Sequence, residues 1–185
     1  DPRAFGGLTS PEHYFELRYK LQKAMEEAPA LIEETGREYE KTFGRRLSLL
    51  DEYRTEDADL LFVTSGTAGY TARVAVDALR KEGVKAGNVR MRVLRPFPFQ
   101  KMREAVKRAK RVAVVDRNLS WGCHGIFYQE VKSALYGHTD SMPVFGYVAG
   151  LGGRDITPET FKDIAHDALG RQTPAEEIVW IGVRK

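Results

Sequence analysis

From residue 60 onward, short apolar runs alternate with polar turns and with alanine-, valine- and leucine-rich stretches at helical spacing. That alternation is what most constrains the fold. Leu60-Leu61-Phe62-Val63 is apolar without a break, as in a strand covered on both faces. Thr64-Ser65-Gly66-Thr67 makes a turn, and Ala68, Ala72, Ala75, Val76 and Leu79 then share one helical stripe that Gly83 closes. Val89, Met91, Val93 and Leu94 read as the next strand, stopped by Arg95-Pro96-Phe97-Pro98, and Met102, Ala105, Val106 and Ala109 mark a helix. Residues 111–115 read as a buried strand, and a helix beginning near Ile126 carries Phe127, Val131 and Leu135 inward. Residues 144–148 form another strand, and Gly150-Leu151-Gly152-Gly153 turns the chain. Thr157-Pro158 starts a last helix with Phe161, Ile164, Ala165, Ala168 and Leu169 facing inward, and residues 178–183 read as an edge strand. Strands alternating with helices predict a three-layer α/β/α domain around a mostly parallel sheet of about five strands, with right-handed connections.

The first third differs. Ser10-Pro11-Glu12 is a helix start, with a hydroxyl N-cap and proline in the first turn. Tyr14, Leu17, Leu21 and Met25 line one stripe, Pro29 breaks or restarts the helix, and a polar second helix over 30–42 ends at Gly44. Residues 1–46 are thus expected to be a linker and helical arm, and 47–185 the α/β domain, with 47–53 as its first strand and 55–59 as a turn.

Composition narrows the function. With 29 Lys and Arg against 26 Asp and Glu, the net charge is only +3, without the clustered basic face of a nucleic-acid binder. The local run Lys101, Arg103, Lys107, Arg108, Lys110 and Arg111 reads as a solvated helix face. A single cysteine excludes an intrachain disulfide and any cluster or zinc site built from several thiolates of this chain. No apolar run approaches the ~20 residues that span a bilayer, and no signal-peptide pattern opens the chain, so a cytoplasmic location is expected. The opening Asp1-Pro2-Arg3-Ala4-Phe5-Gly6-Gly7 reads as the middle of something longer, or as a trimmed product.

Candidate sites gather at strand ends, where open α/β sheets meet ligands and partners. The fullest is Asp116-Arg117-Asn118-Leu119-Ser120-Trp121-Gly122-Cys123-His124-Gly125, between a strand and a helix. Asp116 and Arg117 are either an ion-pair or hydrogen-bond anchor at a domain junction, or a turn residue beside a solvated arginine. Cys123 and His124 are adjacent, whereas nucleophile–base pairs normally meet from distant segments, so Cys123 is read as a small buried or partly buried thiol and His124 as a polar surface or interface residue. The turn with Ser65, Gly66 and Thr67 opens a helix that could attract an anion, but neither a dinucleotide fingerprint nor a P-loop is present, and N-capping is the plainer role. Arg95-Pro96-Phe97-Pro98 is stiff, and Phe97 either faces a partner or caps the core. Gly152-Gly153-Arg154-Asp155 reads as a strand-to-helix turn capped by Thr157. His13, His138 and His166 lack ligand spacing, so no metal site is expected.

Taken in order, Phe5-Gly6-Gly7-Leu8, Pro11, Tyr14-Phe15, the stretch 18–25, Glu52-Tyr53-Arg54-Thr55-Glu56-Asp57-Ala58, Thr64-Ser65-Gly66-Thr67, Arg95-Pro96-Phe97-Pro98, Asp116-Arg117-Asn118 with Ser120 and Gly122, and Gly150-Leu151-Gly152-Gly153-Arg154-Asp155-Ile156-Thr157 resemble the α subunit of pyruvate:ferredoxin oxidoreductase and related 2-oxoacid:ferredoxin oxidoreductases. The likeness is to the later part of that subunit, a domain similar to the transketolase C-terminal domain. It implies a sheet whose first strand is antiparallel to the rest. It also implies an enzyme that oxidatively decarboxylates a 2-oxoacid with thiamine diphosphate, magnesium and coenzyme A, passing electrons through iron–sulfur clusters to ferredoxin. The chain has no Gly-Asp-Gly diphosphate motif and no cluster cysteines. The expectation is therefore no catalytic residue and no cofactor held by this chain alone. Its expected partners are a pyrimidine-binding domain and the β, γ and δ subunits, with ferredoxin met indirectly and neither nucleic acid nor membrane engaged. Ser65, Gly66, Thr67, Arg95, Phe97, Asp116, Arg117, Asn118, Ser120, His124, Arg154 and Asp155 are the candidate interface residues. The alternatives are a free-standing interaction module and a small-molecule (nucleotide or coenzyme A) binder using the glycine turns.

Overall fold

The structure, a computed structural model, describes residues 6–139 and 142–184; the expected role of Phe5 lies outside them. The chain divides into two compact units, Asp1–Ser48 and Leu49–Lys185.

In the first unit one helix, α1 (Pro11–Phe43), runs through Pro29. The expected break does not occur. An internal proline costs about 3 kcal/mol, and the Glu-, Lys-, Ala- and Leu-rich turns on both sides offset it. Ser10 stands at the N-cap but makes no side-chain cap bond, while Gly44, at φ 65°, closes the helix as expected, its amide donating to the Glu40 carbonyl. After the helix the chain folds back onto Gly36, where a β-carbon would lie 2.0 Å from the Leu47 carbonyl oxygen.

The second unit is a six-stranded sheet in the order β1-β3-β2-β4-β5-β6. The strands are β1 (Leu50–Tyr53), β2 (Leu60–Ser65), β3 (Ala86–Met91), β4 (Arg111–Asp116), β5 (Val144–Val148) and β6 (Val179–Trp180). Only β1 is antiparallel, pairing Asp51 with Arg90 and Glu52 with Val89; every other pairing is parallel. The sixth, β6, is the edge strand expected over 178–183, shortened to Val179–Trp180 and paired with β5.

Period-two alternation sorts the strand residues into two cores. Leu61, Val63, Val89, Met91, Val112 and Val114 face α3 (Phe99–Val106) and α4 (Ile126–Leu135). Leu60, Phe62, Ala113, Val115, Phe145 and Tyr147 face α2 (Ala68–Lys81) and α5 (Pro158–Gly170). Phe62 and Phe161 meet edge to face across that second layer, ring centres 5.3 Å apart.

Several boundaries differ from the sequence reading. β3 was expected over 89–94 but spans Ala86–Met91. Ala86, Gly87 and Asn88 are poor strand formers, yet they lie in register with Leu60, Leu61 and Phe62 of the central strand. Asn88 is buried there because Thr64 donates its hydroxyl to Asn88 Oδ1 at 2.9 Å, and Asn88 Nδ2 donates to the Gly69 carbonyl. On α4 it is Tyr128, with Val131 and Leu135, that faces inward, Phe127 being only partly buried. Ala109 lies beyond α3, and Leu169, in the last turn of α5, is exposed.

Candidate functional site

The carboxyl ends of β2, β4 and β5 lie side by side, and Arg117 links the loops that follow them. Its Nη1 donates to the Thr67 hydroxyl at 3.2 Å, and its Nε lies 3.1 Å from where a β-carbon on Gly150 would be. Thr67 is at the N-cap position of α2, but its hydroxyl serves this link rather than the helix amides. Ser65 ends β2, and Gly66 turns the chain at φ 56°.

Asp116 is fully buried, and both of its oxygens accept from the first turn of α4: Phe127 N–H to Oδ1 at 2.9 Å and Tyr128 N–H to Oδ2 at 3.0 Å. Asn118 Oδ1 takes the Ile126 N–H at 2.8 Å. Two side chains eight or more residues upstream thus cap a helix whose own N-cap is Gly125. Gly125 can only be glycine here, since a β-carbon would fall 2.2 Å from the Asp116 carboxyl carbon. Burial pushes the Asp116 carboxyl up to about 6, against the downward pull of the two amides, Asn118 and His124. Asp116 thus anchors a loop to a helix within this unit.

The intervening loop closes on itself, Ser120 N–H donating to the His124 carbonyl at 3.1 Å and Cys123 N–H to the Ser120 carbonyl at 2.9 Å. That closure turns the tip outward. Cys123 is exposed, contrary to the buried or partly buried thiol expected, and Trp121 is 85% exposed. His124 is half-buried with its ring 4.7 Å from that of Tyr128. It borders two open grooves, one of about 660 Å³ between α4 and residues 172–176 and one of about 820 Å³ that also takes in Cys123 and Trp180.

The remaining candidates separate. Arg95 is exposed and pairs with Glu130 of α4 while donating to the Leu94 carbonyl. Phe97 is buried, its ring 4.9 Å from that of Phe99, so it caps the core and presents no face to a partner. Arg154 donates to the Gly182 carbonyl, tying the turn after β5 to the C-terminal segment. Asp155 is exposed just before α5, whose start is the capping box of Thr157 and Thr160.

Two features escaped sequence reasoning. One is Trp121, whose signal was a large aromatic inside a polar, glycine-bearing turn. The other is a cluster in which Asp51 accepts from Arg73, Arg90 and Arg92. Its signal was the alternation of charge with Val89, Met91 and Val93 along β3 and just beyond it. Among the described residues no group of three or more His, Cys, Asp or Glu side chains could hold a metal, and no helix is long and apolar enough to cross a membrane. With one cysteine, the chain's donor set does not fit an iron–sulfur cluster held by its own thiolates.

A mostly parallel sheet between two helical layers, with its first strand reversed, puts this unit in the three-layer α/β class. Its fold is similar to that of a solved split-gene transketolase (TM-score 0.54, 18% identity, 68% of this chain and 43% of that one). A 2-oxoglutarate:ferredoxin oxidoreductase from Magnetococcus marinus gives a TM-score of 0.50 at 18% identity over 71% of this chain and 21% of that one. The family described as pyruvate:ferredoxin oxidoreductase core domain II matches residues 58–161, and the chain belongs to that family. Pyruvate synthase subunit PorA of Methanothermobacter thermautotrophicus is 37% identical over all of this chain and 46% of its own length. Ketoisovalerate oxidoreductase subunit VorA of Pyrococcus horikoshii is 44% identical over 90% of this chain and 43% of its own. The chain thus spans just under half the length of these relatives.

Proposed function

We propose that this chain is the C-terminal domain of the α subunit of a 2-oxoacid:ferredoxin oxidoreductase, in the cytoplasm, with residues 1–46 as its linker and arm. In that assembly a 2-oxoacid such as pyruvate is oxidatively decarboxylated to an acyl-coenzyme A. Thiamine diphosphate, magnesium and iron–sulfur clusters are held by other domains and subunits. This chain contributes shape: it buttresses the pyrimidine-binding domain and docks the β, γ and δ subunits through the loops at the carboxyl edge of its sheet. The observation that carries the reading is identity of 37% over the whole chain to a pyruvate synthase subunit. The docking role is supported by an edge that is internally tied yet presents an exposed aromatic side chain. Arg117, Asp116 and Asn118 hold the loops, while Trp121 stands in solvent, as buried aromatic anchors of protein interfaces do before assembly. Exposed Tyr14, Leu17 and Leu21 on α1 offer a second apolar face.

The test is complementation. The chain is combined with the upstream half of the subunit and the remaining subunits, and 2-oxoacid-dependent reduction of ferredoxin is assayed. Turnover in the full mixture, and none from the chain alone, is the expected result. Turnover by the chain alone overturns the reading.

A further inference from the structure

Asp51 on β1 serves three guanidinium groups. Its Oδ1 accepts from Arg73 Nη2 at 2.8 Å, and its Oδ2 accepts from Arg90 Nε at 3.0 Å, from Arg90 Nη2 at 2.6 Å and, weakly, from Arg92 Nη2 at 3.4 Å. All four side chains are at least two-thirds withdrawn from solvent. The cluster is more than a surface ion pair, because three positive charges meet one negative charge. Arg73 Nε is buried without an acceptor among the described residues. Native proteins rarely leave such a donor unpaired, and clustered charges withdrawn from water strongly favour a further counter-ion.

Among the described residues, the neighbours do not provide it. Arg90 lies 4.1 Å from the centre of the Tyr70 ring, and Arg73 lies 5.5 Å from the same ring and 5.0 Å from that of Tyr53. These rings hold the guanidinium groups in place and offer only a weak attraction. The nearby carboxylate of Asp77 is already engaged by Arg54 at 2.9 Å and by the Tyr53 hydroxyl. The Arg90 stem packs against Gly69, in the space a β-carbon there would take. Tyr70 is 54% exposed, so the cluster opens to solvent beside that ring.

We propose that Arg73, Arg90 and Arg92 form a binding site for one oxyanion, a carboxylate or phosphate group seated beside Asp51 and against Tyr70. Planar guanidinium forks fixed by stacking suit the paired oxygens of such a group, whereas a monatomic anion gains little from them. The site uses none of the residues of the carboxyl-edge docking reading, and it stands or falls separately from it.

The experiment titrates the 185-residue chain with sodium phosphate, sodium succinate and sodium chloride at matched ionic strength. Arginine side-chain N–H resonances and the melting temperature are followed. Saturable shifts of the Arg73 and Arg90 signals with phosphate or succinate, absent with chloride, are expected. The more effective of the two identifies whether the natural group is a phosphate or a carboxylate. Arg92→Gln removes only the long contact to Asp51, so it keeps the fold, and it weakens oxyanion binding by about tenfold, the effect of losing one charged hydrogen bond. Shifts that follow ionic strength alone, or equal binding by Arg92→Gln, overturn the proposal.

Discussion

The carboxylate of Asp116 fills the space that a β-carbon on Gly125 would need, its Oδ2 lying 2.2 Å from that position. The aspartate and the glycine are thus one device. The first lies at the end of β4 and caps α4 from across the loop, and the second gives up its side chain to let the cap approach. Gly125→Ala should push the carboxylate off the Phe127 and Tyr128 amides. Overpacking of this kind costs about 1–3 kcal/mol, and urea unfolding of the variant should show a loss of that size at unchanged denaturant slope.

The same carboxylate makes stability depend on pH. Its folded value, about 6, lies above the ordinary 3.8, so the folded chain holds this proton more tightly than the unfolded chain does. The resulting contribution is complete below the ordinary value, falls as pH rises through the interval, and is gone above about 6. Asp116→Asn cannot titrate. The stability of the unaltered chain minus that of Asp116→Asn, measured by urea unfolding, should therefore decrease by roughly 2 kcal/mol between pH 4 and pH 7. A flat difference would contradict the assignment of the buried group.

Gly36 reverses a familiar substitution. Replacing glycine by alanine inside a helix ordinarily stabilises by about 1 kcal/mol. Here the added carbon would meet the Leu47 carbonyl oxygen at 2.0 Å, and a backbone atom cannot rotate away. Gly36→Ala should lower the thermal stability of the first unit, followed by hydrogen exchange of the α1 amides.

Much of this architecture was legible in the chain because local and long-range signals agreed. Residues 144–148 alternate little, carry β-branched and aromatic side chains and are bounded by Pro143 and Gly150; the strand has those bounds. Where they disagreed, packing prevailed. Pro29 predicts a break that long helix-forming flanks override, and Ala86-Gly87-Asn88, outside the strand expected from Val89, is drawn into the sheet by pairing with Leu60, Leu61 and Phe62. At the strand ends, sequence picked out Asp116, Arg117 and Asn118, but not that Asp116 and Asn118 serve α4 while Arg117 crosses to Thr67. Such partners lie up to 50 residues apart, beyond the reach of any local pattern. Phe97 and Phe99 show the same limit, since two phenylalanines separated by a proline carry no mark of which is buried.

The central claim is that this domain supplies docking and leaves the chemistry to groups held elsewhere. Its most direct test is Trp121→Ala in the complemented oxidoreductase, measuring the concentration of this chain needed for half-maximal ferredoxin reduction and the rate at saturation. The account predicts that the required concentration rises at least tenfold while the saturated rate stays within twofold, an interface anchor being worth about 2 kcal/mol or more. A saturated rate that collapses while assembly is unchanged would contradict it.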